Sequence, residues 1–346
     1  IRDLKLIDCR IENCGRMGIE LQNHGNTTYK ISGVEIIRCH IIGSGQANAS
    51  LGMGISLTGD GEGALIQDCY FDGNLLIQVE NVGFDRLKVI NPRVRASTLP
   101  AGNPVFSFSN SRPMNDCVVK GLRLVADHGE AMVDFPAAPG QLYFDNVTRF
   151  KFIDNHFNFN SSDDKAAVLF DKDCLNIDVY DCILESNDTE PVLSFLNADG
   201  VFIVQGSRFI ATNTANLWGV ANYGSGHLIA RSCLLNMANA GAEGFIKTGA
   251  GTLDIDDDCA MTRAGGVASS MTVFRTPITI TSGSTFASVS HPFPGKPSSV
   301  QVTRRGDLGS SNRFKGVGYN TDLISVSVGN ALANDVSFDV EARFEF

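Results

Sequence analysis

Helical periodicity is almost missing from this 346-residue chain, as are long apolar runs, paired cysteine motifs and an excess of positive charge. Each absence removes a class of protein. Lys and Arg number 28 against 38 Asp and Glu, a formal net charge of −10, which argues against nucleic acid as the main partner because phosphate binding needs clustered cations. No apolar stretch approaches the roughly 18 residues of a membrane span, and the first residues show no signal-peptide pattern. Membrane insertion is not expected. Cys14, Cys117 and Cys174 complete no CxxC pair, the six histidines carry no HExxH spacing, and there is neither a GxSxG elbow nor a phosphate-binding loop. Zinc and serine hydrolase chemistry are poorly supported, and no metal or other cofactor is expected. The odd count of nine cysteines fits synthesis in a reducing cytosol.

What the chain does have is a repeat. The phrase Leu4-Lys5-Leu6-Ile7-Asp8-Cys9-Arg10-Ile11 returns as Val34-Glu35-Ile36-Ile37-Arg38-Cys39-His40-Ile41 and as Ala64-Leu65-Ile66-Gln67-Asp68-Cys69-Tyr70-Phe71. The Cys9 position continues at Pro92, Leu122, Asn155, Cys182, Ser207, Cys233 and, with a one-residue slip, Cys259, giving nine steps of about 28 residues. A period of that size signals a solenoid. Alternation such as Leu4-x-Leu6 and Ile177-x-Val179 argues strand, and the break before the cysteine position argues a tight bend. The cysteine itself reads as a small residue filling the inside of that bend.

A further short strand is expected after a polar loop in each unit, at Ile19–Leu21, Ile55–Leu57, Ile77–Val79, Phe106–Phe108, Val133–Phe135, Leu193–Phe195 and Trp218–Val220. Five of these end in Asn at one offset (Asn23, Asn81, Asn110, Asn197, Asn222), a residue suited to a repeated turn. Three strands per unit predict a parallel β-helix of about ten coils over residues 1–271. From Pro277 the composition turns to Ser, Thr, Gly and Pro with new strand-like runs, which predicts a small all-β, sandwich-like domain over 272–346. That domain would cap the last coil and blunt its open edge.

A solenoid interior is filled by stacked apolar side chains, so a ligand must bind outside. The outward positions predicted on the post-loop strands are Glu20, Ser56, Gln78, Ser107, Asp134, Ser194 and Gly219, a groove floor of small and polar residues. Acids lie in the loops beside it. Glycoside hydrolysis needs one carboxyl to donate a proton and a second to activate water or attack, and coils stacked at about 4.8 Å bring acids of neighbouring loops within that range. Asp134, Asp163, Asp164, Glu130 and Glu190 are the catalytic candidates. Trp218, with Asn222 and Tyr223 after it, offers a platform for a pyranose ring, although a core-filling role suits the same tryptophan. Arg93 and Arg95 border a long loop and suit an acidic sugar; Gln78, His128 and Lys165 complete the binding candidates. The acidic run Asp254-Ile255-Asp256-Asp257-Asp258 lacks the Gly and Glu of a calcium loop and reads as a solvated turn.

The coils of the type IxIxxCxI followed by GIxL, seen from Leu4 to Leu21 and from Ile36 to Leu57, resemble the pectate-lyase-like right-handed β-helices. The segments Val289–Phe293, Pro297–Val302 and Asp335–Ala342 are similar to C-terminal β domains of bacteriophage tailspikes. These resemblances imply a homotrimeric tailspike depolymerase that binds and cleaves a bacterial surface polysaccharide from a position on the virion tail. The chain opens inside a repeat, so a preceding segment that joins other tail or baseplate proteins is expected. Two alternatives stay open. A polysaccharide lyase would rely on Lys165, His128, Tyr223 and Arg95 rather than on paired acids, and a non-catalytic trimeric adhesin would use the same groove without cleavage.

Overall fold

A computed structural model describes residues 1–23, 29–126, 137–160, 164–242, 244–247, 250–256, 258–264, 268–270, 273–281, 284–290, 299–304, 314–319, 323–328 and 336–343. The expected repeat is a parallel β-solenoid. Each coil contributes a strand leading into the tight bend (Lys5–Ile7 in the first coil), a strand leaving it (Arg10–Glu12) and a post-loop strand (Ile19–Asn23). Hydrogen bonding runs from coil to coil, so the three series form three parallel sheets. Ten strands lead into bends, ten leave them and nine follow the loops, which makes nine full turns and a partial tenth. The described residues hold only two short 3-10 turns, Ala49–Leu51 and Ala96–Thr98.

The bend explains the repeating phrase. Asp8, Arg38, Asp68, Asn91, Gly121, Asp154, Asp181, Gly206 and Ser232 all take φ between 50° and 72°, a left-handed conformation that Asp, Asn and Gly accept most readily. The next residue, the cysteine position, points inward and bonds along the stack. Cys39, Cys69, Cys182 and Cys233 each donate a thiol to a carbonyl of the preceding coil at 3.4–3.5 Å. Asn155 does the same to the Val119 carbonyl at 3.0 Å, and the Cys182 amide donates to the Ser207 hydroxyl at 3.1 Å. Cys, Asn and Ser, which can pair with a neighbouring coil, therefore interchange here, while Leu122 fills the same place by apolar packing. Burial pushes the Cys69 and Cys182 thiols up to about 12, which leaves them protonated and inert. The slip at Cys259 is an extra residue in the bend, because Ala260 still pairs with Leu234 while Ile255 pairs with Ala230.

Phenylalanines fill the middle of the solenoid. Phe144 stacks on Phe170 at 5.0 Å, Phe170 on Phe195 at 5.4 Å and Phe195 on Phe202 at 4.5 Å, all fully buried. At the C-terminal end the direction of pairing changes. Val273–Ile280, Val336–Arg343 and Ser299–Arg304 form one antiparallel sheet, and Phe286–Ser290, Leu323–Val328 and Phe314–Tyr319 form another. Ile280, Phe338 and Val340 of the first and Ile324 and Val326 of the second are buried.

The post-loop register differs from expectation at three coils. Ile55 pairs with Val79 rather than Ile77, so Glu80 takes the outward place assigned to Gln78. Gln78 is 1% exposed and accepts from the Asn74 amide at 2.8 Å, which removes it from the groove floor. Phe106–Phe108 pairs with Leu142–Phe144, so Tyr143 stands where Asp134 was expected. Leu193 pairs with Val220, so Ala221, not Gly219, stands beside Ser194. Parity explains the errors at Gln78 and Gly219, since a shift of two residues preserves the inward and outward faces; Tyr143 lies nine residues beyond Asp134, an offset set by the long preceding loop. The five asparagines also split: Asn23, Asn81 and Asn222 belong to strands, level with Gly59, Leu57 and Phe195, whereas Asn110 and Asn197 follow theirs.

Candidate functional site

The outward column of the post-loop sheet runs Glu20, Ser56, Glu80, Ser107, Tyr143, Leu169, Ser194, Ala221 and Ile246. The loops that lead into this sheet carry the first acidic group. Asp164 precedes Val168–Phe170 and Glu190 precedes Leu193–Phe195, two strands that pair directly. The loops are tied across the coil boundary by the Thr189 hydroxyl, which donates to Asp164 Oδ1 at 3.0 Å. Asp188, 2% exposed, fastens the turn by accepting from the Thr189 amide at 2.6 Å and the Glu190 amide at 3.3 Å.

A buried asparagine secures the next coil. The Asn216 side chain donates to the carbonyls of Asp188 at 3.1 Å and Glu190 at 2.5 Å, and accepts from the Trp218 amide at 2.8 Å. Glu190 is thereby held on backbone fixed at both ends. Its carboxyl is raised above the usual value by burial, then by the charges of Asp188 and Asp164. Tyr223, which follows its strand as Asp171 does and whose amide donates to the Phe195 carbonyl at 2.9 Å, is raised by burial and then by Glu190. The structure therefore brings together three predicted residues, Asp164, Glu190 and Tyr223. Trp218 lies at the rim of the same coil, half-buried, with its indole Nε1 closed to solvent and unpaired among the described residues.

Other candidates are placed elsewhere. Asn222 is fully buried, donates to the Gly226 carbonyl at 2.8 Å and accepts from the Gly224 amide at 3.2 Å; it is a turn fastener, which corrects its assignment to substrate. Arg93 is exposed on the bend-leaving sheet between Tyr70 and Arg123, while Arg95 is paired with Asp72 at 3.2 Å. Both lie three coils from Glu190, about 14 Å along the stack. Lys165 follows Asp164 and is half-buried. Glu130, Asp134, Asp163 and His128 lie outside the described residues.

A second acidic group, missed by the sequence reading, stands at the opposite edge of the post-loop sheet. Asp145 and Asp171 directly follow the inward Phe144 and Phe170, and their amides donate to the Phe108 and Phe144 carbonyls at 2.7 and 2.8 Å, which sets them on consecutive rungs. Tyr143 Oη donates to Asp171 Oδ2 at 3.2 Å, and Ser109 Oγ donates to Asp145 Oδ2 at 3.2 Å. Burial raises the Asp145 carboxyl against the lowering effects of Ser109 and Lys172. The signal was present, since Phe108-Ser109, Phe144-Asp145 and Phe170-Asp171 repeat one pattern. It is indistinguishable from a turn until the rungs are aligned.

No family model matches the chain, and no curated protein matches it. Solved structures similar to it include the tailspike protein gp49 from Pseudomonas phage LKA1 (12% identity, 99% of this chain and 67% of that one, TM-score 0.46). Another is the catalytic unit of an α-1,3-glucanase from Streptomyces thermodiastaticus (12% identity, 78% and 50%, TM-score 0.43). A third is the tailspike of E. coli bacteriophage HK620 in complex with a hexasaccharide (10% identity, 98% and 65%, TM-score 0.38). The chain spans between half and two thirds of the length of these proteins.

Proposed function

We propose that this chain is the glycan-handling body of a tailspike-type depolymerase, an endo-acting glycoside hydrolase that cleaves a bacterial surface polysaccharide. The observation that carries the reading is the Glu190 carboxyl, raised by burial and by Asp188 and Asp164 on a loop bridged to Asp164. Two acids in unlike surroundings are what glycoside hydrolysis requires: the half-buried one keeps its proton for the leaving oxygen, and the exposed one serves the attacking water or the sugar carbon. Glu190 is assigned as proton donor and Asp164 as the acid that serves the attacking water or the sugar carbon. Asp188 and Asn216 position the donor, and Trp218 and Tyr223 supply aromatic surface for a sugar ring.

Elimination is the weaker reading. A base must lose its proton readily, yet Tyr223 is shifted upward, and Arg95, the cation suited to a uronate, is engaged by Asp72. Assembly as a homotrimer through the C-terminal sheets, attachment to other tail proteins and a place on the virion tail belong to the same proposal. They rest on the resemblance of the coil and C-terminal motifs to tailspikes.

Incubation with bacterial capsular, O-antigen and exopolysaccharides tests it. New reducing ends without the ultraviolet absorbance of an unsaturated uronate are expected, and Asp164→Asn should abolish their release while oligosaccharide binding persists. Unsaturated products would establish a lyase. Binding without any cleavage would establish an adhesin.

A further inference from the structure

At the edge of the post-loop sheet away from Glu190, a cleft of about 400 Å³ opens between Val82, Ser109, Asn110, Asp145, Lys172 and Asp173. Its size lies within the range of small-ligand sites. Val82 continues the column of Thr58, and Ser109 and Asp145 follow on the next rungs, so three coils supply one wall. Asp145 is 6% exposed, and while its Oδ2 accepts from Ser109, its Oδ1 has no partner among the described residues. Leaving a buried carboxyl oxygen unpaired is costly, and a ligand donor would relieve that cost. The Asp145 side chain is itself part of the cleft lining.

We propose that this cleft is a binding subsite for a single neutral sugar ring, separate from the cleavage site at Glu190. The lining favours a polyol: hydroxyl and amide groups both give and accept hydrogen bonds, as sugar hydroxyls do. Charge selects within that class. Asp145 and Asp173 outnumber Lys172, which disfavours a uronate, and the Lys172 ammonium disfavours a metal cation. Only the choice of sugars as the ligand class leans on the function proposed above; the site itself stands on the cleft and on Asp145.

The test is calorimetric titration and saturation-transfer NMR with the methyl glycosides of glucose, galactose, mannose and N-acetylglucosamine, with methyl glucuronide and calcium chloride as contrasts. Millimolar dissociation constants are expected for at least one neutral ring. Asp145→Leu and the surface change Lys172→Met should each weaken it by about tenfold or more, whereas Glu190→Gln leaves it unchanged. If Asp145→Leu fails to fold, Lys172→Met decides. The proposal is overturned if no neutral glycoside binds, if binding survives both cleft variants, or if calcium binds in an Asp145-dependent way. Polysaccharide cleavage lost in Glu190→Gln, with no ring bound at the cleft, would leave the hydrolase reading intact and remove only this one.

Discussion

Replacing Glu190 with Gln should move catalysis and stability in opposite directions. As proton donor, Glu190 is expected to supply about 10²–10⁴-fold of the rate, or about 3–5 kcal/mol of barrier, so the variant should lose nearly all cleavage. Stability should change the other way. Burial, Asp188 and Asp164 raise the folded-state carboxyl above its usual 4.5, so the fold holds this proton more tightly than the unfolded chain does. Such a group stabilises fully below the unfolded value and loses that contribution as pH rises through the folded one. As pH rises through the folded value the parent comes to carry a carboxylate that the fold disfavours, and Gln removes it. The gain is modest, since Glu190 is only partly buried and water screens its charge, and it should vanish at pH below the ordinary carboxyl range. The rate profile gives an independent check. Activity should fall with rising pH as the donor loses its proton, and Asp188→Asn should shift that limb to lower pH. Reducing-end release and thermal unfolding across the pH range measure both effects. Cleavage by Glu190→Gln within about threefold of the parent, or an unmoved limb in Asp188→Asn, would refute the assignment.

Three further outcomes are expected. Cys9 and Cys14 are half-exposed and the other seven thiols buried, so a chromogenic disulfide reagent should titrate two thiols per chain quickly in the native protein and all nine in denaturant; a larger native count would contradict the sealed bend. Phe170→Ala empties a fully buried place between Phe144 and Phe195 and should cost about 3–5 kcal/mol in denaturant unfolding, whereas a loss below about 1 kcal/mol would mean that the stack does not bear on stability. If the C-terminal sheets drive assembly, a chain ending at Thr276 should sediment as a monomer, and a stable trimer at low concentration would exclude that role.

Much of the solenoid is legible in the sequence because the bend is chemically narrow. Asp8, Asp68, Asn91 and Gly206 suit a left-handed φ, and the residue after each turns toward the interior of the coil. The post-loop strands are less legible. Gln78 and Glu80 share a face, and both satisfy the alternation around Val79; only the pairing of Ile55 with Val79 separates them. Loop length hid the rung of Tyr143 in the same way, because the chain between Val125 and Leu142 contains a second alternating run at Val133-Asp134-Phe135. The candidate site divides along that line: Asp164, Glu190 and Tyr223 were found from acids and aromatics near predicted strands, while Asp145 and Asp171 look like turn residues.

The sequence by itself determined the period, the bend, the two strands that flank it and the acidic, helix-poor character of the chain, because each is written in residues adjacent along the chain. Only the tertiary structure decided which acids meet. Glu190 and Asp164 are 26 residues apart in sequence and become neighbours through coil stacking. The proton affinities of Glu190 and Asp145 depend on burial and on charges from residues of the same and neighbouring coils. Such properties arise from distance and desolvation in the folded chain, and a linear pattern carries neither.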